Sequence, residues 1–89
     1  MCDYEKALAD VNQAIELKSD YAPAYDNRGY IYKELKDYDK AMDDYNRAIE
    51  LSPEYEESYR DRAQVYDALG EKEKADADRK MAEALSSKN

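Results

Sequence analysis

The chain has 89 residues, which fits a single domain, and its 22 Asp and Glu residues against 14 Lys and Arg residues give a formal net charge of −8. It contains no His and a single Cys, Cys2, so it lacks the usual neutral-pH acid–base group, an intramolecular disulfide and the ligands for a zinc site. The acidic balance disfavours nucleic acid as a partner, and no apolar run is long enough to span a membrane. We therefore expect a soluble, cytoplasmic protein.

Five helices are expected from the spacing of apolar residues and from the scarcity of Gly and Pro, over 3–17, 22–35, 38–51, 56–69 and 72–86. In the first of them the apolar residues from Tyr4 to Ile15 recur three and four positions apart, which places them on one face of a helix. Asp3 and Asp37 stand where a helix N-cap is preferred, and Gly70 suits the left-handed residue that ends a helix. The sequence therefore predicts an all-α fold.

The chain repeats itself with an offset of 34 residues. The segment 3–7 returns as 37–41, and Tyr25 returns as Tyr59. A period of that length is typical of stacked helical hairpins, each of which is too thin to bury its apolar face alone.

The segment 22–55 has aromatic and small residues in a characteristic order, namely Tyr25, Gly29, Tyr32, Ala41, Tyr45, Ala48 and Pro53. In this pattern and its period the chain resembles the tetratricopeptide repeat (TPR) family. The segment 56–89 matches less fully, and 1–21 matches only the second helix of an incomplete unit. The resemblance implies a single domain over 1–89, built as a right-handed superhelix of antiparallel helix hairpins, an α-solenoid.

Two arginines depart from that pattern, because Arg28 and Arg62 stand where the family usually has an aliphatic residue. Aspartates recur with the same period, at Asp10, Asp44 and Asp78. We expect one ion pair in each unit, in which Arg28 reaches Asp10 or Asp44 and Arg62 reaches Asp44 or Asp78. Arg suits such a pair because its planar guanidinium binds a carboxylate with two hydrogen bonds.

The last predicted helix has a charged outer face, formed by Lys72, Asp76, Arg79 and Glu83. The corresponding positions of the earlier helices are apolar, beginning with Tyr4 and Tyr38. Because a terminal repeat must present a polar face to water, 56–89 is interpreted as the last unit and 72–86 as its cap. Two further departures from the family pattern are Arg79, which replaces an aromatic, and Lys36, which replaces a Gly between helices.

The TPR resemblance implies a scaffold for protein–protein interaction that holds a peptide or partner segment on a concave wall built from the first helix of each hairpin. The polar residues expected on this wall are Asp26, Asn27, Tyr30, Lys33, Glu34, Arg60, Gln64 and Asp67. Because acidic residues occupy much of it, an acidic C-terminal tail is not the expected ligand. Tyr30 is a predicted partner contact, since its repeat equivalent is Gln64 and packing does not require an aromatic there.

Catalysis is not expected from this chain. No Ser has a His partner, and neighbouring carboxylates such as Asp43 and Asp44 point apart on a helix. Neither a cofactor nor a metal ion is expected. The alternative to a scaffold is a structural or self-associating repeat module, including a truncated or engineered repeat chain with no external ligand.

The first helix is the expected site of self-association. Ala7, Ala14 and Leu17 lie on the side where the other helix of its own hairpin would pack. A two-fold pairing of this patch with itself would give a weak homodimer, because the apolar area is small compared with the cost of association. Cys2 would lie near the patch and could cross-link two chains under oxidising conditions.

Overall fold

The computed structural model describes residues 3–87, which form five α-helices and, within that range, no strand. In chain order the helices are α1 (Tyr4–Leu17), α2 (Ala22–Glu34), α3 (Tyr38–Leu51), α4 (Glu56–Ala68) and α5 (Lys72–Ser86). The predicted all-α solenoid is confirmed, and the helix limits agree with the predictions to within one residue. No helix in the described part of the chain is long and apolar enough to cross a membrane.

The helix ends are formed by the residues that the sequence indicated. Asp3 accepts a hydrogen bond from the backbone N–H of Lys6 at 3.1 Å, and Asp37 accepts one from Lys40 at 3.4 Å. These bonds satisfy backbone donors that have no partner inside a helix. Gly70 takes a positive φ of 79° after α4, as expected for a left-handed helix end.

Lys36 takes the same place after α2 that Gly70 takes after α4, and its φ is 65°. This conformation strains an L-residue because the Cβ approaches the following carbonyl oxygen. Lys36 therefore keeps the left-handed backbone geometry that Gly70 has in the second turn, but it makes the protein less stable than Gly would at this position.

The helices pack as neighbours in a row. Two antiparallel hairpins, α2 with α3 and α4 with α5, make the most extensive contacts, while α3 packs on α4 and α1 packs on α2. A smaller contact joins α2 directly to α4. The centre of the core lies where the hairpins meet and contains Ala41, Tyr45 and Val65, all of them buried.

The close approach of α2 to α3 depends on Gly29. A Cβ at this position would lie 2.7 Å from Cε1 of Tyr45, whose side chain is itself fully buried. In the second hairpin the equivalent pair is Ala63 and Arg79, and Ala63 is buried. The first hairpin therefore pairs Gly29 with the large ring of Tyr45. The second hairpin has no ring at the equivalent position and accommodates the methyl group of Ala63.

Candidate partner-binding surface

In each hairpin, an arginine of the first helix binds both carboxylate oxygens of an aspartate of the second helix, an arrangement that we call a forked ion pair. Arg28 donates from Nε and Nη2 to the two carboxylate oxygens of Asp44, at 2.9 and 2.7 Å. Arg62 makes the same two bonds to Asp78, at 2.8 and 2.7 Å. The predicted ion pairs are confirmed, and in both cases the partner is the aspartate of the same hairpin. Hydrogen bonding to these carboxylates raises the pKa of both guanidinium groups, so the arginines stay charged.

The same arginines also reach the preceding helix. Nη1 of Arg28 donates to Oδ1 of Asn12 at 3.0 Å, and Nη1 of Arg62 donates to Oδ1 of Asn46 at 2.8 Å. Each arginine side chain thus joins three consecutive helices, and its hydrogen-bond donors are bound to other side chains of the solenoid. The two arginines therefore hold the scaffold together.

The predicted wall residues occupy one side of α2 and of α4. Six of the eight are exposed: Asn27, Tyr30, Glu34, Arg60, Gln64 and Asp67. Lys33 is half-buried because Nζ donates a hydrogen bond to Oε1 of Gln64 across the gap between the two helices. We name the surface formed by Tyr30, Lys33, Arg60 and Gln64 the α2/α4 face.

Tyr30 is the exposed aromatic of this face. Its exposed fraction is 47%, and Nζ of Lys33 lies 4.5 Å from the centroid of its ring. A cation over an aromatic ring is attracted to it, so this contact orients both side chains. The ring presents its remaining surface outward, next to the hydrogen bond that joins α2 to α4.

Asp26 differs from the other wall residues because it is only 5% exposed. Its carboxylate accepts a hydrogen bond from Oγ of Ser58 at 3.0 Å, and Asp61 of α4 lies beside it. Burial, together with the charge of Asp61, raises the pKa of Asp26 to about 7. The carboxyl group of Asp26 thus belongs to the contact between α2 and α4.

The buried hydroxyl group of Tyr45 interacts electrostatically with the carboxylates of Asp61 and Asp26. Burial first, and then the charges of Asp61 and Asp26, raise its pKa, so it stays protonated. The hydroxyl has no hydrogen-bond partner among the described residues. Polar groups without a partner inside a protein reduce its stability, so this part of the α2–α4 contact is polar but incompletely satisfied.

The α4 side of the surface continues into a groove toward α5. Arg60 pairs with Glu56 at 3.3 Å, and Asp67 pairs with Arg79 at 2.7 Å. The groove has a volume of about 570 Å³ and is lined by Arg60, Gln64, Arg79, Glu83, Ser86 and Ser87. Sequence reasoning assigned Arg79 and Glu83 to a solvated cap and did not place them beside the wall, although both lie on α5 one helical turn apart.

No group of metal-ligating side chains occurs among residues 3–87. The polar groups of the surface are amides, ammonium and guanidinium groups and carboxylates, and some of them are paired with one another, as Lys33 is with Gln64 and Arg79 with Asp67. This arrangement can bind a chain segment through hydrogen bonds and aromatic contact. Cys2, the residue expected near a self-association patch, lies outside the described residues.

Stacked helical hairpins with a polar side formed by alternate helices define a protein of the helical-repeat class. Residues 22–55 match the family model of the tetratricopeptide repeat. This match and the structural matches to TPR domains below support a tetratricopeptide repeat protein. A comparison with curated proteins finds no significant match.

Several solved structures resemble the chain over nearly its whole length. The Arabidopsis OM64 TPR domain has a TM-score of 0.90 and 27% identity, over 97% of this chain and 71% of that one. The crystal structure of MamA has a TM-score of 0.88 and 27% identity, over 96% of this chain. The chain spans about half the length of MamA, at 50%. The second TPR of Spaghetti (RPAP3), bound to the HSP90 peptide SRMEEVD, has a TM-score of 0.87 and 26% identity, over 92% of this chain and 76% of that one.

Proposed function

We propose that this chain is a protein-interaction scaffold that holds a peptide or partner segment on the α2/α4 face, the concave wall of its solenoid. One observation carries the proposal: Lys33 bonds to Gln64 across two repeats, with the exposed ring of Tyr30 beside it. An exposed Tyr next to fixed polar groups has the properties of an anchor residue at a protein interface. The peptide complex of the RPAP3 domain, which has the same fold, supports the reading.

The charge of the wall argues for a neutral or basic segment. Glu34 lies on α2, Glu57, Asp61 and Asp67 lie along α4, and the whole chain has a net charge of −8. Arg60, the exposed cation of α4 on this face, is already paired with two glutamates at 3.3 and 3.6 Å. A peptide as acidic as SRMEEVD would meet like charges here, which opposes association. We therefore propose that the partner of this chain is not an acidic C-terminal tail.

Peptide selection tests this function directly. A displayed library of random 12-residue peptides, panned against the chain, is expected to yield neutral or basic sequences, while synthetic SRMEEVD should not bind. In the chain, Tyr30→Ala should weaken the selected peptides about tenfold, the loss of an interface anchor. Tyr21→Ala is the matched control, because Tyr21 is 48% exposed and also has a lysine ammonium group over its ring.

Two results would contradict the proposal. Selected peptides that bind equally well to the Tyr30→Ala and Tyr21→Ala variants would show that they bind elsewhere. Tight binding of SRMEEVD, or a library that yields mainly acidic sequences, would refute the charge argument. Far-UV circular dichroism of both variants confirms that the helices are intact.

A further inference from the structure

Two acidic side chains meet beneath the α2/α4 face without a cation between them. Asp26 of α2 is buried, and Asp61 of α4 is half-buried and lies within hydrogen-bonding reach of it. Neither carboxyl group forms an ion pair with any residue in 3–87, whereas the other buried aspartates, Asp44 and Asp78, are each bound by an arginine. Two carboxyl groups that face each other away from water favour a positive charge between them.

The hydroxyl group of Tyr45 points to the same place. The side chain of Tyr45 is fully buried, and its Oη has no hydrogen-bond partner among the described residues. Its ring packs against Gly29, one helical turn after Asp26 on α2, and the hydroxyl interacts electrostatically with Asp61 and Asp26. A buried hydroxyl without a partner costs stability, so a group that donates a hydrogen bond to it would be bound favourably.

This set of three residues does not recur with the 34-residue period of the scaffold. The repeat equivalent is Arg60 for Asp26, Asn27 for Asp61, and Val11 or Arg79 for Tyr45. The forked ion pairs, in contrast, are present in both hairpins. The second hairpin packs without such a set, so hairpin packing does not account for its presence in the first.

We propose that Asp26, Asp61 and Tyr45 bind the ammonium group of a lysine side chain from the partner segment, and we name these three residues the lysine site. The inference rests on the function proposed above and adds the side chain that the partner supplies. An ammonium group has three donors, which suits one bond to each carboxylate and one to Oη of Tyr45. Asp26 precedes Tyr30 by four residues on α2, so a segment that contacts the ring of Tyr30 also reaches the lysine site.

Arginine fits the lysine site less well than lysine. The forked pairs of this protein use both oxygens of one carboxylate, as Arg28 does on Asp44. Oδ1 of Asp26 already accepts a hydrogen bond from Oγ of Ser58 at 3.0 Å, which leaves one oxygen of this carboxylate for a ligand. The stem of lysine is thin and apolar and carries a compact charge at its tip. It therefore suits a site whose inner groups are buried and whose outer group is half-buried.

Peptide selection with restricted compositions tests the lysine site. Three displayed libraries of random 12-residue peptides are panned against the chain, with lysine, arginine or neither as the cationic residue. The lysine library should yield the tightest peptides. In these, replacing one lysine by norleucine, which keeps the stem and removes the charge, should weaken binding at least about tenfold, and arginine in its place should not restore it.

Two variants of the chain separate binding from folding. Asp26→Asn and Tyr45→Phe each remove a polar group that destabilises the free protein, so both should raise the urea midpoint at neutral pH. The same variants should weaken the lysine peptide by about tenfold and about fivefold, and leave the norleucine peptide unchanged. A purely structural role would not distinguish the two peptides. Asp43→Asn, which removes an exposed carboxylate from α3, is the matched control and should leave both peptides unchanged.

The affinity for the lysine peptide should also rise with pH. Burial and the charge of Asp61 raise the pKa of Asp26 to about 7, so the bound ammonium group displaces a proton near neutral pH. The other titratable groups that face Asp26 are Glu57, Tyr55 and Tyr45, none of which supplies a positive charge. Binding should be about tenfold tighter at about pH 8 than at about pH 6, and Asp26→Asn should abolish the difference.

The outcomes distinguish this inference from the scaffold function. Peptides that bind as tightly with norleucine as with lysine, or that prefer arginine, would overturn the lysine site. So would variants of Asp26 and Tyr45 that affect the lysine and norleucine peptides equally. If Tyr30→Ala still weakens those peptides, the scaffold function stands and only the lysine site is wrong. A failure of all three libraries to yield peptides that depend on Tyr30 would overturn both.

Discussion

Asp26→Asn should make the protein more stable at neutral pH and leave it nearly unchanged in acid. Asp26 is buried between α2 and α4, where its carboxylate accepts a hydrogen bond from Ser58 and faces Asp61. Asn has the same shape as the protonated acid. It can accept the Ser58 hydroxyl and donate to Asp61 without adding a charge. The substitution therefore preserves the contacts and removes only the ionisation.

The direction of this pH dependence follows from the pKa of Asp26, which burial raises from 3.8 to about 7 in the folded protein. The folded state holds the proton more tightly than the unfolded state, so ionisation at higher pH favours unfolding. The contribution of Asp26 to the free energy of unfolding is constant below about pH 4 and falls by about 1.4 kcal/mol per pH unit up to about pH 7. The full loss amounts to about 4 kcal/mol, which sets the upper limit for the gain in the variant.

Urea unfolding followed by far-UV circular dichroism measures this difference at three pH values, about 4, 5.5 and 7.5. The advantage of Asp26→Asn over the natural protein should grow through the series and exceed about 2 kcal/mol at the highest pH. Asp43→Asn controls for the change in net charge, because Asp43 is exposed on α3. An advantage of Asp26→Asn that stays the same at all three pH values would refute the reasoning.

Four further substitutions, with Arg47→Ala as a control, test the packing, the turns and the ion pair by urea unfolding. Gly29→Ala should lower the free energy of unfolding by about 2–3 kcal/mol, because the new Cβ would lie 2.7 Å from a fully buried ring, and a loss below about 0.5 kcal/mol would contradict this. Lys36→Gly should raise the free energy of unfolding by about 1 kcal/mol, and Gly70→Ala should lower it by a similar amount, because both positions have a positive φ. No change in either variant would show that the turn is unstrained. Arg28→Ala should cost about 2–3 kcal/mol, whereas Arg47→Ala, whose ion pair is exposed, should cost less than about 0.5 kcal/mol, and equal losses would argue against the fork.

The helices could be predicted because the same residues recur in the same local setting. The limits of α3 and α5 agree with the prediction, and α2 and α4 end one residue early, at Glu34 and Ala68. In both, the predicted last residue is a leucine that serves as the C-cap, directly before a residue with positive φ. Asp3 is the N-cap of α1 and not its first residue. The differences are thus confined to the caps, where helical and non-helical residues look alike in sequence.

The ion pairs of Arg28 and Arg62 were predictable because opposite charges recurred with one period. The third partner of each fork, Asn12 or Asn46, was missed since an amide gives no charge signal. The contact of Asp26 with Ser58 could not be inferred for a different reason. These two residues are 32 positions apart, not 34, and they meet only through the lateral contact of α2 with α4. Such a contact depends on how the hairpins are rotated relative to each other, which a repeat pattern does not specify.

The absence of buried residues in α1 gives the molecule a direction of unfolding. In a solenoid, stability is a sum of contacts between neighbours, so a helix with one neighbour opens at a lower free energy than a helix with two. Among the described residues, α1 and α5 each pack on a single helix, but α5 contains the buried residues Ala75, Asp78 and Ala82, whereas α1 contains none. The chain is therefore expected to begin unfolding at α1, and its amide protons should exchange with solvent soonest in that helix.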